Sequence, residues 1–172
     1  MRGVLFVLVA AAGCGGDLLG NEGFEILCGR EPCDWKLIEG EAAYADSWHE
    51  GDPGVDLSGS GRAVMEQRSA PFALGTRELV LAAAVAREGA AMRFELEWYV
   101  AGQAEGPTYW DRAPVPIDTR SVEVVDEGVF ALEELVSTPS LEVSGLVLRL
   151  IKEGEGVAVI DEVTLTEPKV LP

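Results

Sequence analysis

The sequence predicts an all-β domain, a sandwich or barrel, and three observations predict it. Apolar and polar residues alternate through much of the second half, clusters of Gly, Pro, Ser and Asp separate the alternating runs, and no segment carries a convincing helix signal. The chain has 172 residues, 48% hydrophobic and 25% charged, enough to bury one core and short for two.

Each element follows from its own pattern. Strands are expected at Trp35–Ala42 and Ala63–Gln67, with Glu50-Gly51-Asp52-Pro53-Gly54 and Ser58-Gly59-Ser60-Gly61 as turns between them. The run from Arg77 to Arg87 is rich in Leu and Ala and passes for a helix on propensity. We assign it as a strand, because Arg87-Glu88-Gly89-Ala90 reads as a turn into the clearest strand of the chain. In that next strand Met92, Phe94, Leu96, Trp98 and Val100 share one face, while Arg93, Glu95, Glu97 and Tyr99 share the other. Gly106-Pro107-Thr108 marks a connection, and strands follow at Val122–Val125 and Val129–Leu132. Leu146, Leu148 and Leu150 form another apolar face. Glu153-Gly154-Glu155-Gly156 then makes a turn, and Val157, Val159, Val163 and Leu165 resume the face, so the pair is expected to be a hairpin with a loop longer than two residues.

The amino terminus reads as an export signal. Met1-Arg2 supplies a positive end and Val4–Ala12 an apolar run too short to span a bilayer. The sequence Ala11-Ala12-Gly13-Cys14 resembles the lipobox of bacterial lipoproteins, with Ala11 where Leu is usual. That resemblance implies cleavage before Cys14 and lipid on its thiol. The alternative is ordinary secretory cleavage nearby, with Cys14 left over. The expected organisation is a signal peptide over 1–13, the lipidated Cys14 and a flexible tether over 14–20, the β domain over 21–167, and a tail over 168–172. With Cys14 spoken for, Cys28 and Cys33 remain as an even pair, and an oxidising compartment makes a disulfide the expected state. The membrane is then met through the N-terminal lipid alone, in a cell envelope.

Charge and composition exclude several functions. Thirteen Lys and Arg against 30 Asp and Glu give a formal charge of −17, which repels a phosphate backbone and argues against nucleic acid. The single His49 leaves no His-rich metal site, and three Cys cannot make a four-thiolate zinc site. No Gly-x-Ser-x-Gly elbow accompanies His49, and no phosphate-cradling Gly loop with Lys is present. Two facing carboxylates would serve glycoside hydrolysis, but 30 acids offer no signal for a particular pair. The expected role is therefore not enzymatic.

The order of several short patches adds a resemblance. Asn21-Glu22-Gly23-Phe24-Glu25 opens the domain, and Trp35, Ser47-Trp48-His49-Glu50-Gly51 and Gly61-Arg62-Ala63 follow. Val159-Ile160-Asp161-Glu162-Val163-Thr164-Leu165 closes it. This order resembles the galactose-binding-like jelly rolls, which include many carbohydrate-binding modules of bacterial glycosidases. The resemblance implies a two-sheet antiparallel jelly-roll β-sandwich whose ends lie side by side. It also implies a structural Ca²⁺ held by Glu25, Asp161 and the Gly23 carbonyl, with Glu50 or Asp52 as a further carboxylate. Sugar binding needs aromatic faces with polar neighbours. Trp98 is expected in the core and Trp35 over one end. Trp48 with Tyr44, and Tyr109 with Trp110, are the stacking candidates, and Asp111 and Arg112 can hydrogen-bond hydroxyls. The bland alternative is that each Trp packs under a loop. The expected function is a noncatalytic envelope lipoprotein with a jelly-roll binding or interaction module, meeting an envelope protein. The alternative is a carbohydrate-binding module for a cell-wall or extracellular glycan, and an envelope glycoside hydrolase comes third.

Overall fold

The computed structural model of the chain describes residues 17–20, 23–24, 26–28, 31–49, 52–59, 61–70, 75–76, 78–100 and 116–168. Among these, all regular structure is β. A small ladder of β1 (Leu27–Cys28) and β2 (Glu31–Pro32) comes first. Ten strands then form two antiparallel sheets of five. One sheet has the order β3 (Lys36–Glu39), β6 (Ala63–Arg68), β11 (Val143–Glu153), β8 (Ala91–Val100) and β9 (Asp118–Val124). The other runs β10 (Gly128–Ser137), β7 (Glu78–Glu88), β12 (Val157–Thr166), β5 (Asp52–Asp56) and β4 (Ala43–His49). This is the two-sheet jelly-roll sandwich.

Alternation builds the core. Met92, Phe94, Leu96 and Trp98 of β8, with Leu146, Leu148 and Leu150 of β11, face Leu79, Leu81, Ala83 and Val85 of β7 across the sandwich. Trp98 is fully buried, and Trp35 packs on Phe24 with ring centroids 5.1 Å apart. The run rich in helix formers is β7, because its period-two face is the one that fills the core.

Four expectations change. The Leu146–Leu165 hairpin does not exist: β11 and β12 lie in different sheets, and Glu153–Gly156 carries the chain from one layer to the other. Gly156 makes that corner possible. Its φ is +137°, and a Cβ there would sit 2.2 Å from the Glu88 carbonyl oxygen. The parity of β12 also shifts. Ala158 and Ile160 face the core where Val157 and Val159 were expected. A bulge between Asp161 and Thr164, with Glu162 at φ +49°, then brings Val163 and Leu165 inward. Asp52-Pro53-Gly54 is strand and not turn. Pro53 lacks an N–H, and the β4–β5 ladder is irregular where it sits, between the Ala45–Gly54 and His49–Asp52 pairs. Finally, the expected tether contributes its last residues to the fold. The Leu18 N–H donates to the Leu165 carbonyl at 2.8 Å, Leu19 is buried, and Asp17 Oδ1 accepts from the Leu165 and Leu19 amides at 2.9 and 3.0 Å. The segment at residues 17–19, no strand itself, is thereby fastened to the last strand of the domain.

Candidate functional site

The outward face of the β3–β6–β11–β8–β9 sheet gathers the polar side chains that its own alternation expels from the core. Register places Arg149 of β11 directly opposite Glu66 of β6 and Glu95 of β8, while Lys36 pairs with Glu66 and Ser121 with Glu95. A single row, Lys36–Glu66–Arg149–Glu95–Ser121, thus crosses all five strands, with charges of alternating sign at its centre.

Arg149 is the hub of this row. Its Nε donates to Glu66 Oε2 at 2.7 Å and its Nη1 to Glu95 Oε1 at 3.2 Å, and Glu97 completes the ion pairs. The Tyr99 hydroxyl donates to Glu97 Oε2 at 2.9 Å. Burial by itself would make the Arg149 charge harder to keep, but the hydrogen bonds and charges of Glu97 and Glu66 outweigh it and hold the guanidinium more firmly protonated than usual. Tyr99 and Val147 lie beside the row, fully buried although they face away from the main core. Three carboxylates surround one guanidinium, so the centre of the face keeps an excess of negative charge. Chemically its partly exposed members, the carboxylates of Glu95 and Glu97 and the Arg149 guanidinium, present acceptors and a donor at fixed spacing on a rigid sheet, while the buried Tyr99 hydroxyl only holds Glu97 in place. A second row at the sheet end joins Arg93 and Arg62 to Glu153, with Arg62 also on Glu39.

The residues expected from sequence are distributed as follows. Cys28 and Cys33 form the disulfide across the β1–β2 ladder, with an S–S distance of 2.09 Å. Trp48 and Tyr44 lie in β4, in the sheet opposite the Arg149 row, and their side chains are outside what the structure describes. Tyr109, Trp110, Asp111 and Arg112 lie outside the described residues, within the segment that joins β8 to β9 of the Arg149 sheet. Cys14, Glu25 and Glu50 are likewise outside them. Of the expected calcium ligands, Asp161 is fully buried on β12 and its Oδ1 accepts the Glu162 amide at 2.8 Å, while Gly23 is half-buried. Asp52 opens β5, its side chain outside what the structure describes, and among the described residues no group of three or more His, Cys, Asp or Glu is placed to hold a metal. No described helix is long and apolar enough to cross a membrane.

The Arg149 row was not foreseen. The signal was present: Leu146, Leu148 and Leu150 turn inward, so Arg149 must turn outward, as Glu95 and Glu97 must on β8. What the sequence lacked was the register that brings the two strands side by side.

Comparison with known proteins bears on the fold. No protein-family model matches the chain, and no curated protein matches it. Among solved structures, the enzymatically active domain of tailspike protein 4 from bacteriophage CBA120 is similar over 87% of this chain, with a TM-score of 0.63 and 9% identity. The chain spans only 21% of that protein. TmCBM61, solved with β-1,4-galactotriose, is similar over 89% of this chain and 99% of its own, with a TM-score of 0.57 and 17% identity. The CBM22-1 xylan-binding domain of Xyn10C from Paenibacillus barcinonensis is similar over 93% of this chain and all of its own, with a TM-score of 0.55 and 16% identity. Its structural neighbours thus include carbohydrate-binding modules, and the likeness is one of fold.

Proposed function

We propose that this domain is a noncatalytic glycan-binding module of a bacterial cell envelope, anchored through lipid on Cys14. The observation that carries the reading is the Arg149 row. It sets fixed donors and acceptors across the outward face of a sheet, in a fold whose solved neighbours include modules that bind galactotriose and xylan. Fold likeness alone would not supply a function. The row supplies a surface with the right chemistry, and Tyr109-Trp110, in the segment joining two strands of that sheet, supply aromatic faces for stacking. The noncatalytic part rests on the sequence, which offers no Gly-x-Ser-x-Gly elbow to accompany its single His49. The lipid anchor rests on Ala11-Ala12-Gly13-Cys14.

Titration of the purified chain against neutral cell-wall and plant polysaccharides tests this. Binding is expected, and Glu97→Gln and Trp110→Ala should each weaken it by about tenfold or more. Binding that neither substitution alters would overturn the site. No binding to any polysaccharide, with crosslinking in the envelope to a protein partner, would replace the reading with an interaction module.

A further inference from the structure

The two five-stranded sheets leave four edges, and one of them is built as a template. β3 spans four residues and bulges, β4 is irregular along its ladder, and β9 spans seven residues. β10 spans ten residues, Gly128–Ser137, and pairs with β7 in unbroken register from end to end. Among the described residues, no strand and no hydrogen bond meets its outer edge. We propose that this edge receives an extended peptide segment carrying two adjacent basic residues flanked by apolar ones at alternate positions.

Main-chain groups supply the pairing. In an antiparallel sheet, alternate residues of an edge strand turn their N–H and C=O away from the neighbour, so β10 presents such pairs to solvent along its length. Both ends of the strand are held. Arg87 donates to the Val125 and Asp126 carbonyls at 2.8 and 2.9 Å just before it. The Thr138 hydroxyl donates to the Thr76 carbonyl at 2.7 Å just after it. A row fixed in this way needs little further ordering when another strand adds to it. Side chains supply the selection. Phe130 and Leu132 pack on the core yet stay half-buried, and on the other face Val129 and Leu135 are 63% and 52% exposed. Apolar residues of an incoming strand would cover them. From Asp126 to Ser137 the chain has four acids and no base. Two of those acids, Glu133 and Glu134, are exposed near the middle of the strand, one on each face. β10 paired with a second copy about its middle would gather the glutamates of both, which like charge opposes. An acidic segment meets the same barrier. Two adjacent Lys or Arg answer both carboxylates at once, because neighbouring residues of the incoming strand also point to opposite faces. The edge belongs to the sheet opposite the Arg149 row, so the inference does not depend on glycan binding.

A capped peptide of about ten residues, with Lys-Lys at its centre between stretches of alternating Val and Thr, tests the proposal on the full chain. We expect calorimetry to show binding, and amide hydrogen exchange to slow in residues 128–137 and at no other sheet edge. A Glu-Glu centre, N-methylation along the peptide, or Glu133→Lys with Glu134→Lys in the protein should each weaken binding by about tenfold or more. Both substitutions fall at exposed positions, and circular dichroism will verify the fold. Absence of binding overturns the proposal. So does binding kept by the N-methylated peptide, which would reflect attraction to the overall charge of −17 and not strand addition. Slowed exchange at β3, β4 or β9 in place of β10, or self-association of the chain through β10, overturns it equally.

Discussion

Arg149 is where single-residue chemistry has the most leverage. Its planar fork reaches three carboxylates on two flanking strands, which an ammonium on a flexible stem does not reproduce. Arg149→Lys keeps the charge and should still cost about 1–2 kcal/mol in urea denaturation, while Arg149→Ala should cost on the order of 3 kcal/mol, because Glu66 is left nearly buried and unpaired. The pH dependence has a definite sign. A group whose folded pKa is raised stabilises at every pH below its unfolded pKa and loses that contribution only as pH climbs through the folded one. For Arg149 both lie above the neutral range. Titrating stability from neutral to mildly alkaline pH should therefore show no step that Arg149→Lys removes. Gly156 is the second sensitive residue: Gly156→Ala forces a Cβ against the Glu88 carbonyl and should cost about 2 kcal/mol or more by the same assay.

Strands were legible wherever one face meets the core. The β8 face from Met92 to Trp98 was readable from alternation alone, whereas β7, apolar at every position from Leu79 to Val85, was recognisable only from the Arg87–Ala90 turn that leads into β8. Where the chain goes after a strand was not legible. Glu153–Gly156 closes a hairpin or crosses between layers equally well on local chemistry, and only burial on the opposite sheet selects the crossing. The β12 bulge was hidden for a related reason: between Asp161 and Thr164 the strand carries one residue more than β7 opposite it, and that single insertion reverses the parity of its earlier half. At φ +49° Glu162 bears a left-handed backbone that glycine adopts freely. Glu162→Gly should therefore be neutral or stabilising by up to about 1 kcal/mol, and Glu162→Val should be destabilising, in thermal melts. Phe94→Ala, in the middle of β8, should cost about 3–5 kcal/mol through the cavity it leaves.

The whole molecule combines a single sandwich core with a strongly negative charge. The excess of carboxylates around Arg149, on a chain of −17, disfavours uronate-bearing polymers. Neutral or amino sugars should be preferred, with the discrimination shrinking as salt is added in a binding titration. The Cys28–Cys33 bridge closes a short loop at the margin of this body, so Cys28→Ser with Cys33→Ser should lower stability by about 2 kcal/mol without unfolding it. The bond from Leu18 to Leu165 has a mechanical consequence. With Asp17 already fastened to the final strand, an acylated Cys14 would leave Gly15 and Gly16 as the entire leash, a reach of about 10 Å. A body moored in that way would have little freedom to swivel, and the bilayer itself would decide which of its flanks a passing polymer can approach.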